Sequence, residues 1–434
     1  MNAVKKKHLV VVGGGITGLF GALIGSEMGY DVTIITKDIA GLISDYRQGE
    51  FYFETAGSHV YTPNHEFILE LLYEAGAVEN TRKAFYDYSL KVPYPVQSHA
   101  DRLGIEIETS NEILTDNLEN FGISSFGKRF HKKWFRPFNE RVWTVSPLTM
   151  SADWITSRVT PPYSKAGTNW GPNAKFLGCP GRKILAQIMK RLSDHDINYI
   201  IDGAHNIGTR IKCIFTESGK TVQYDSVLWT APIGMLAKSS IRERNVFLHN
   251  VVLTVGVGLN RELKDPFHWV YPKVSLPAHR VAAISRFHPG YAPKGKDSLS
   301  VEIPYKASPA SLRNLNLTTK GRASQSDKRP LAIDYLNKAG INGIAQKDIQ
   351  ELAFSIRSGY PIQTIGLRKN VAKVKNRYIS NNIVFAGRWG SWVYANIDHC
   401  YESARAALEA LECGMNDHYA YDGYYYDIDQ VKEN

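Results

Sequence analysis

The stretch VVVGGGITGLFGAL, Val10–Leu23, restricts what this chain can become more than any other segment. Gly13, Gly15 and Gly18 fit the spacing G-x-G-x-x-G. A β-branched run, Val10–Val12, enters the motif and a helical pattern leaves it. A second strand pattern, DVTIIT (Asp31–Thr36), follows at the distance of a βαβ unit. In that setting Gly13 permits the tight turn, Gly15 lets the backbone approach a pyrophosphate, and Gly18 lets the helix pack on the strand. The helix N-terminus then offers N–H donors to phosphate. The preceding KKKH (Lys5–His8) admits a second reading, an export signal. Against that reading, six glycines between Leu9 and Gly25 weaken any membrane helix, and no small-x-small cleavage site follows. The motif alone does not separate NAD from FAD. Where an acid normally meets the ribose stands Thr36, followed by Lys37 and Asp38. Asp38 reaches the ribose only if the strand end is shifted.

A chain of 434 residues is long enough for two or three domains or one large composite. A hydrophobic content of 43% with 22% charged residues is that of an ordinary globular enzyme. Cys179, Cys213, Cys400 and Cys413 show no C-x-x-C spacing, which argues against structural zinc or a disulfide framework and suits a reducing, cytoplasmic setting. No metal site is expected. A net charge of +10 fits nucleic acid, an anionic membrane or an acidic small substrate. No nucleic-acid module is recognised, and neither nucleic acid nor membrane is expected as a partner. After KKKH, the densest basic stretch, FGKRFHKKWFR (Phe126–Arg136), reads as a solvated face of an amphipathic helix, with a phosphate-bearing substrate as the next reading.

The strand, glycine turn, helix and strand at the start find their closing piece only near the end, in NIVFAGRWGSW. That pattern predicts an α/β fold. A discontinuous Rossmann-like FAD-binding domain (residues 1–90, 180–240 and 375–415) encloses a mainly helical substrate or lid domain (91–179) and an antiparallel β-sheet domain (241–374). The strand candidates VVLTVGVGL, HWVYPKV, RVAAISRF and SLSVEI build the last of these. Ser308–Pro330 reads as a loop, and the tyrosine-rich tail (416–434) carries no assigned role.

At NWGPNAKF (Asn169–Phe176) the chain resembles the eukaryotic-type UDP-galactopyranose mutases, within the larger group of amine-oxidase and protoporphyrinogen-oxidase-like flavoproteins. The likeness extends through GSHVY, VPYPVQ, WFRPFNERVW, SRVTPP, HWVYP, SGYPIQT and GRWGSWVYANIDH, in family order over most of residues 8–410. The resemblance implies a redox-neutral interconversion of six- and five-membered sugar rings on a nucleoside diphosphate. Reduced FAD attacks the anomeric carbon through N5 while the nucleoside diphosphate leaves. NAD(P)H is the candidate reductant, and a homo-oligomer the candidate assembly.

By resemblance, Gly13, Gly15, Gly18, Asp38, Gly57, His59 and Arg388 hold the FAD, with His59 in a loop that rearranges beside the isoalloxazine. Tyr94 and Gln97 match the uracil contacts, and Asn139 and Trp143 line the nucleotide channel. Arg158 and Arg280 match a pair that clamps the diphosphate, with Tyr271, Tyr360 and Tyr394 as neutral donors and Asn173 and Asn396 near the sugar. Such residue types suit the chemistry, because a guanidinium binds phosphate oxygens with two parallel hydrogen bonds. An amide such as Gln97 carries both donor and acceptor for uracil.

Some positions depart from the family pattern. GS replaces the paired glycine before His59, Phe287 stands where a tyrosine is expected, and the turn after Pro180 is shortened to GRK. The segment from Tyr394 to Asn396 is shorter than the pattern, and Thr36 replaces the ribose acid. These put galactose in doubt more than uridine. An FAD-dependent oxidase of the amine-oxidase-like group is the alternative function, and a flavin-binding module without activity is a third.

Overall fold

Alternation along the first strand decides how the N-terminal sheet is layered. The computed structural model describes residues 6–155, 174–237, 246–311, 313–315 and 327–413. Within His8–Gly15, Leu9 and Val11 point into one apolar core and Val10 and Val12 into another. A strand buried on both faces belongs inside a parallel sheet covered by helices. The strand order is Ile383–Phe385, Ser226–Trp229, His8–Gly15, Asp31–Ala40, Ile197–Ile201. Every join is parallel, with Val11 level with Leu228 on one side and Ile34 on the other. Helices Ile16–Glu27 and Ile397–Cys413 pack over the Leu9 and Val11 side through Leu19, Leu23, Ala404 and Leu408. Helix Leu367–Tyr378 covers the other side through Val371 and Val374. A three-stranded antiparallel sheet from Ala204–Gly208, Cys213–Thr216 and Thr221–Gln223 supplies Ile207 and Ile214 to the same core.

The second large sheet has seven strands, in the order Ile349–Pro361, His249–Leu259, Ser298–Lys306, Arg280–Ala282, Trp269–Tyr271, Ala84–Tyr86, Val92–Pro93. It is antiparallel except where Trp269–Tyr271 runs parallel to Ala84–Tyr86. The N-terminal segment therefore passes directly into this sheet through Ala84–Tyr86. Its strand Ile349–Pro361 has no counterpart in the sequence reading. Burial along it is irregular, with Gln350, Arg357 and Ser358 on the edge of the sheet, so neither clean alternation nor a continuous apolar run marks it.

The aromatic, basic stretch Phe126–Arg136 spans the end of helix Leu118–Phe130, a wider π-helical turn at His131–Phe135, and the start of helix Arg136–Trp143. Phe126, Phe130, Trp134 and Phe135 are buried, while Lys128, Lys132 and Lys133 face solvent. Its charge is a solvated face. Among the described residues, no helix is long and apolar enough to cross a membrane.

Candidate active site

A cavity of about 710 Å³ opens at the carboxyl ends of the parallel strands, where Val12–Gly15, Ile35–Asp38 and Thr230–Pro232 form its floor. The glycine turn shapes that floor. Gly13 has φ of +111°, a conformation side chains disfavour, and a Cβ there would stand 2.5 Å from Thr230 Oγ1. A Cβ on Gly18 would run into the Gly13 carbonyl oxygen, so the helix sits on the strand only because that atom is missing. At Gly15 a Cβ would meet nothing within 4 Å, since that side faces the open cavity. Helix Ile16–Glu27 begins there with no side-chain cap and no acid in its first turn. Its terminal N–H groups and positive dipole end are left for an anion.

Thr36, in the place of the ribose acid, ties the turn to the second strand. Its Oγ1 accepts from the Gly14 N–H at 2.9 Å and donates to the Asp38 carbonyl at 2.6 Å. The pairing slips here: Val12 is level with Ile35, but Gly14 is level with Ile39. Thr36, Lys37 and Asp38 bulge out, which shifts the strand end and brings Asp38 into the cavity wall. At the rim Asp38 pairs with Arg357 at 3.6 Å.

The loop Gly57–His59 hangs from two buried carboxylates. Glu302 accepts from the backbone N–H and the hydroxyl of Ser58, both at 2.9 Å. Glu54 Oε2 accepts from the His59 backbone N–H at 2.6 Å and lies 3.0 Å from His59 Nδ1. Gly57 has φ of +93°, and a Cβ on it would press on the Glu302 carboxyl. His59 lines the cavity, as do Arg388 and Asn396. Arg388 donates through Nε and Nη2 to the Ala395 carbonyl at 3.2 and 2.7 Å, and through Nη1 to Gly359 at 3.3 Å. Its guanidinium lies 5.2 Å from the Tyr394 ring and 5.7 Å from that of Tyr360. Asn396 immediately precedes helix Ile397–Cys413, and its backbone N–H donates to His399 Nδ1 at 3.1 Å.

Beyond this wall the residues expected to hold a ligand gather. Tyr360 and Tyr394 stack at 5.4 Å, with Trp143 edge-on to both at 5.6 and 6.3 Å. Burial, then the neighbouring Tyr394, raises the Tyr360 hydroxyl, which stays a donor. Arg280 is level with Glu302 on the adjacent strand, and its Nε and Nη2 donate to the two carboxylate oxygens at 3.0 and 2.9 Å. Burial opposes both charges. For Glu302, Arg280 and then His279 reverse that effect and hold the carboxyl below its usual range. For Arg280, Glu302 raises the guanidinium further. Among the described residues, Nη1 is the Arg280 nitrogen that makes no hydrogen bond.

Tyr94 stacks on Tyr271 with ring centres 4.1 Å apart, so one face of Tyr94 is already covered. Burial raises the Tyr94 hydroxyl well above its ordinary value. Gln97 is buried in the turn Val96–Leu103. Asn139 turns back on its own helix, donating to Phe135 O at 2.8 Å and accepting from Trp143 Nε1 at 3.2 Å. Phe287, where a tyrosine was expected, is core, packed edge-on to Phe176 and Trp269. Arg158 and Asn173 lie outside the described residues.

Sequence reasoning missed Glu54, Glu302 and Arg82. Glu302 had a signal: in Ser298–Lys306 the serines and Glu302 share one face while Leu299, Val301 and Ile303 occupy the other. Arg82 is buried with its guanidinium 4.8 Å from the Trp269 ring. Burial lowers its pKa, and it lies close enough to Tyr271, Tyr94 and Arg280 to feel their charge. No metal-holding cluster of His, Cys, Asp and Glu occurs among the described residues.

No protein-family model matches the chain. Among solved structures it is similar to reduced UDP-galactopyranose mutase, with 21% identity and a TM-score of 0.80 over 99% of this chain and 98% of that one. It is similar to putrescine oxidase bound to putrescine at 13% identity and a TM-score of 0.63, over 94% and 99% of the two chains. An oxidoreductase from Methanosarcina mazei follows at 11% identity and a TM-score of 0.60, over 93% and 100%. The fold of this chain is therefore that of the UDP-galactopyranose mutase structure over nearly its whole length, and more loosely that of the oxidases.

Proposed function

We propose that this protein is a flavin-dependent mutase that interconverts the pyranose and furanose forms of a nucleoside-diphosphate sugar, with uridine as the nucleoside. One observation carries the reading: the glycine-floored cavity shares a wall with a cluster of half-buried arginine and tyrosine side chains. Arg388 lines the cavity beneath Tyr394 and Tyr360, and Tyr360 lies within electrostatic reach of Arg280. The likeness to UDP-galactopyranose mutase supports the same reading.

The cavity residues fit FAD. The uncapped helix start and the open side of Gly15 would receive the pyrophosphate, Asp38 would serve the ribose, and Arg388, His59 and Asn396 would hold the ring system. Reduced FAD supplies a nucleophilic nitrogen for attack at the anomeric carbon. The chain's own residues manage the leaving group. Arg280 Nη1 and the hydroxyls of Tyr271, Tyr360 and Tyr394 donate to diphosphate oxygens, and Arg158 adds a second cation. Charge-assisted bonds of this kind strengthen as negative charge develops in a water-poor site. NAD(P)H is the reductant in this reading.

The likeness to putrescine oxidase favours a second reading, an FAD-dependent oxidase. An oxidase pocket beside the flavin is mostly apolar, which the Arg280 cluster is not. The test is to reduce the protein with dithionite, offer a panel of nucleotide sugars, and separate ring forms by chromatography. Ring interconversion only after reduction, with no oxygen consumed per turnover, is expected. Oxygen uptake with each substrate consumed, or equal activity of the oxidised protein, overturns the mutase reading.

A further inference from the structure

Glu54 is 1% exposed and ends strand Phe51–Glu54. Its three hydrogen-bond contacts are the backbone N–H and ring Nδ1 of His59 on Oε2, and the Tyr291 hydroxyl on Oε1. Tyr291 is itself fully buried. An ionised carboxylate only accepts, so a ring nitrogen beside it must carry the proton. His59 Nε2 has no partner among the described residues, and the ring lies in the cavity wall.

We propose that Glu54 is a positioning residue: braced by Tyr291, it holds His59 in the Nδ1–H form, so that bare Nε2 faces the cavity as a hydrogen-bond acceptor. This deepens the flavin reading, since what Nε2 meets is an N–H or O–H of the bound cofactor or its substrate. The geometry is a buried carboxylate behind an imidazole, which sets tautomer and ring orientation together. The loop does not depend on Glu54 alone. Ser58 remains anchored on Glu302 through its backbone N–H and hydroxyl. Replacing Glu54 by its near-isosteric amide should therefore leave the backbone in place while removing the acceptor-only character.

The test is nitrogen NMR of the purified holoprotein labelled in its histidines, at mildly alkaline pH, with His59→Gln to identify the signal. The expected result is a single Nδ1–H tautomer of His59 in the parent. Glu54→Gln should lose it to a mixture in which Nε2–H is prominent, and Tyr291→Phe should produce a smaller change in the same direction. Turnover on a nucleotide sugar should fall in kcat with KM nearly unchanged, and Glu54→Asp should restore part of it. An Nε2–H tautomer or an imidazolium in the parent, or the same tautomer in Glu54→Gln as in the parent, overturns the proposal. If Glu54→Gln fails to fold, the Tyr291→Phe spectrum decides by the same criteria. The tautomer is read without any sugar present, so the assignment can stand where the mutase reading falls, and the reverse.

Discussion

The two halves of the site are made in opposite ways. The glycine-floored half, proposed to hold the cofactor, is mostly backbone, and its key contact, Gly14 to Thr36, spans 22 positions of the chain. The ligand half is side chain on side chain. Ser58 and Glu302 are 244 positions apart, and Arg280 and Ser58 are 222 apart. Backbone fit depends on the absence of an atom at each glycine. Charge fit depends on two residues that make no sense singly, because either member of a buried pair left alone is an uncompensated charge. Damage should therefore register in the ligand half as lost stability, and in the cofactor half chiefly as lost cofactor.

The largest effect should follow Glu302→Ala, which strips Arg280 and Ser58 of their partner together. Breaking a buried pair this way costs about 3–5 kcal/mol, read as a lower urea midpoint. If the midpoint barely moves, the pair is not the anchor of the ligand half. Gly18→Ala comes next. Overpacking against the Gly13 carbonyl should cost about 1–3 kcal/mol and abolish flavin retention, checked by absorbance after gel filtration. Thr36→Val removes the acceptor for the Gly14 N–H, and should cost about 1–2 kcal/mol with weaker flavin binding. A variant as stable as the parent would show that Thr36 does not hold the turn.

Acid should discriminate more gently. Burial holds His268 down to about 4 and His279 down to about 3, against an ordinary 6.5. Each binds a proton on unfolding before it can do so folded, so stability is fully present above 6.5 and declines as pH falls towards 4. His268→Gln can keep an acceptor for the Lys83 N–H, 3.0 Å away in the parent, and should flatten that decline in urea titrations. An unchanged slope would remove His268 from the account. The smallest stability change belongs to Gly15→Ala. With open space around it, the folded chain should shift by no more than about 0.5 kcal/mol. Flavin retention should nevertheless be lost, and a Gly15→Ala variant that stays yellow would contradict the cavity as the cofactor site.

Much of the cofactor half was legible because its rules are local. The spacing of Gly13, Gly15 and Gly18, the valine run before them and the strand after them lie within one βαβ unit. Even the departure at Thr36 could be seen, though not its remedy. The bulge that carries Asp38 into the wall depends on register with the neighbouring strand. Arg280, Tyr360 and Tyr394 could be picked out by motif order. What else binds Arg280 could not, since alternation puts Glu302 on the polar face of its strand but only the register with the adjacent strand sets it opposite Arg280.

By itself, then, the sequence determined where backbone must pass close to backbone, since a glycine in a βαβ frame meets its own neighbours. Tertiary structure alone decided which buried charges face one another. It gave Arg280 a carboxylate partner and hung the His59 loop from Glu54 and Glu302. The reason is physical. Conformational preference acts over a few residues, whereas burial makes a charge depend on whatever distant segment the fold lays beside it.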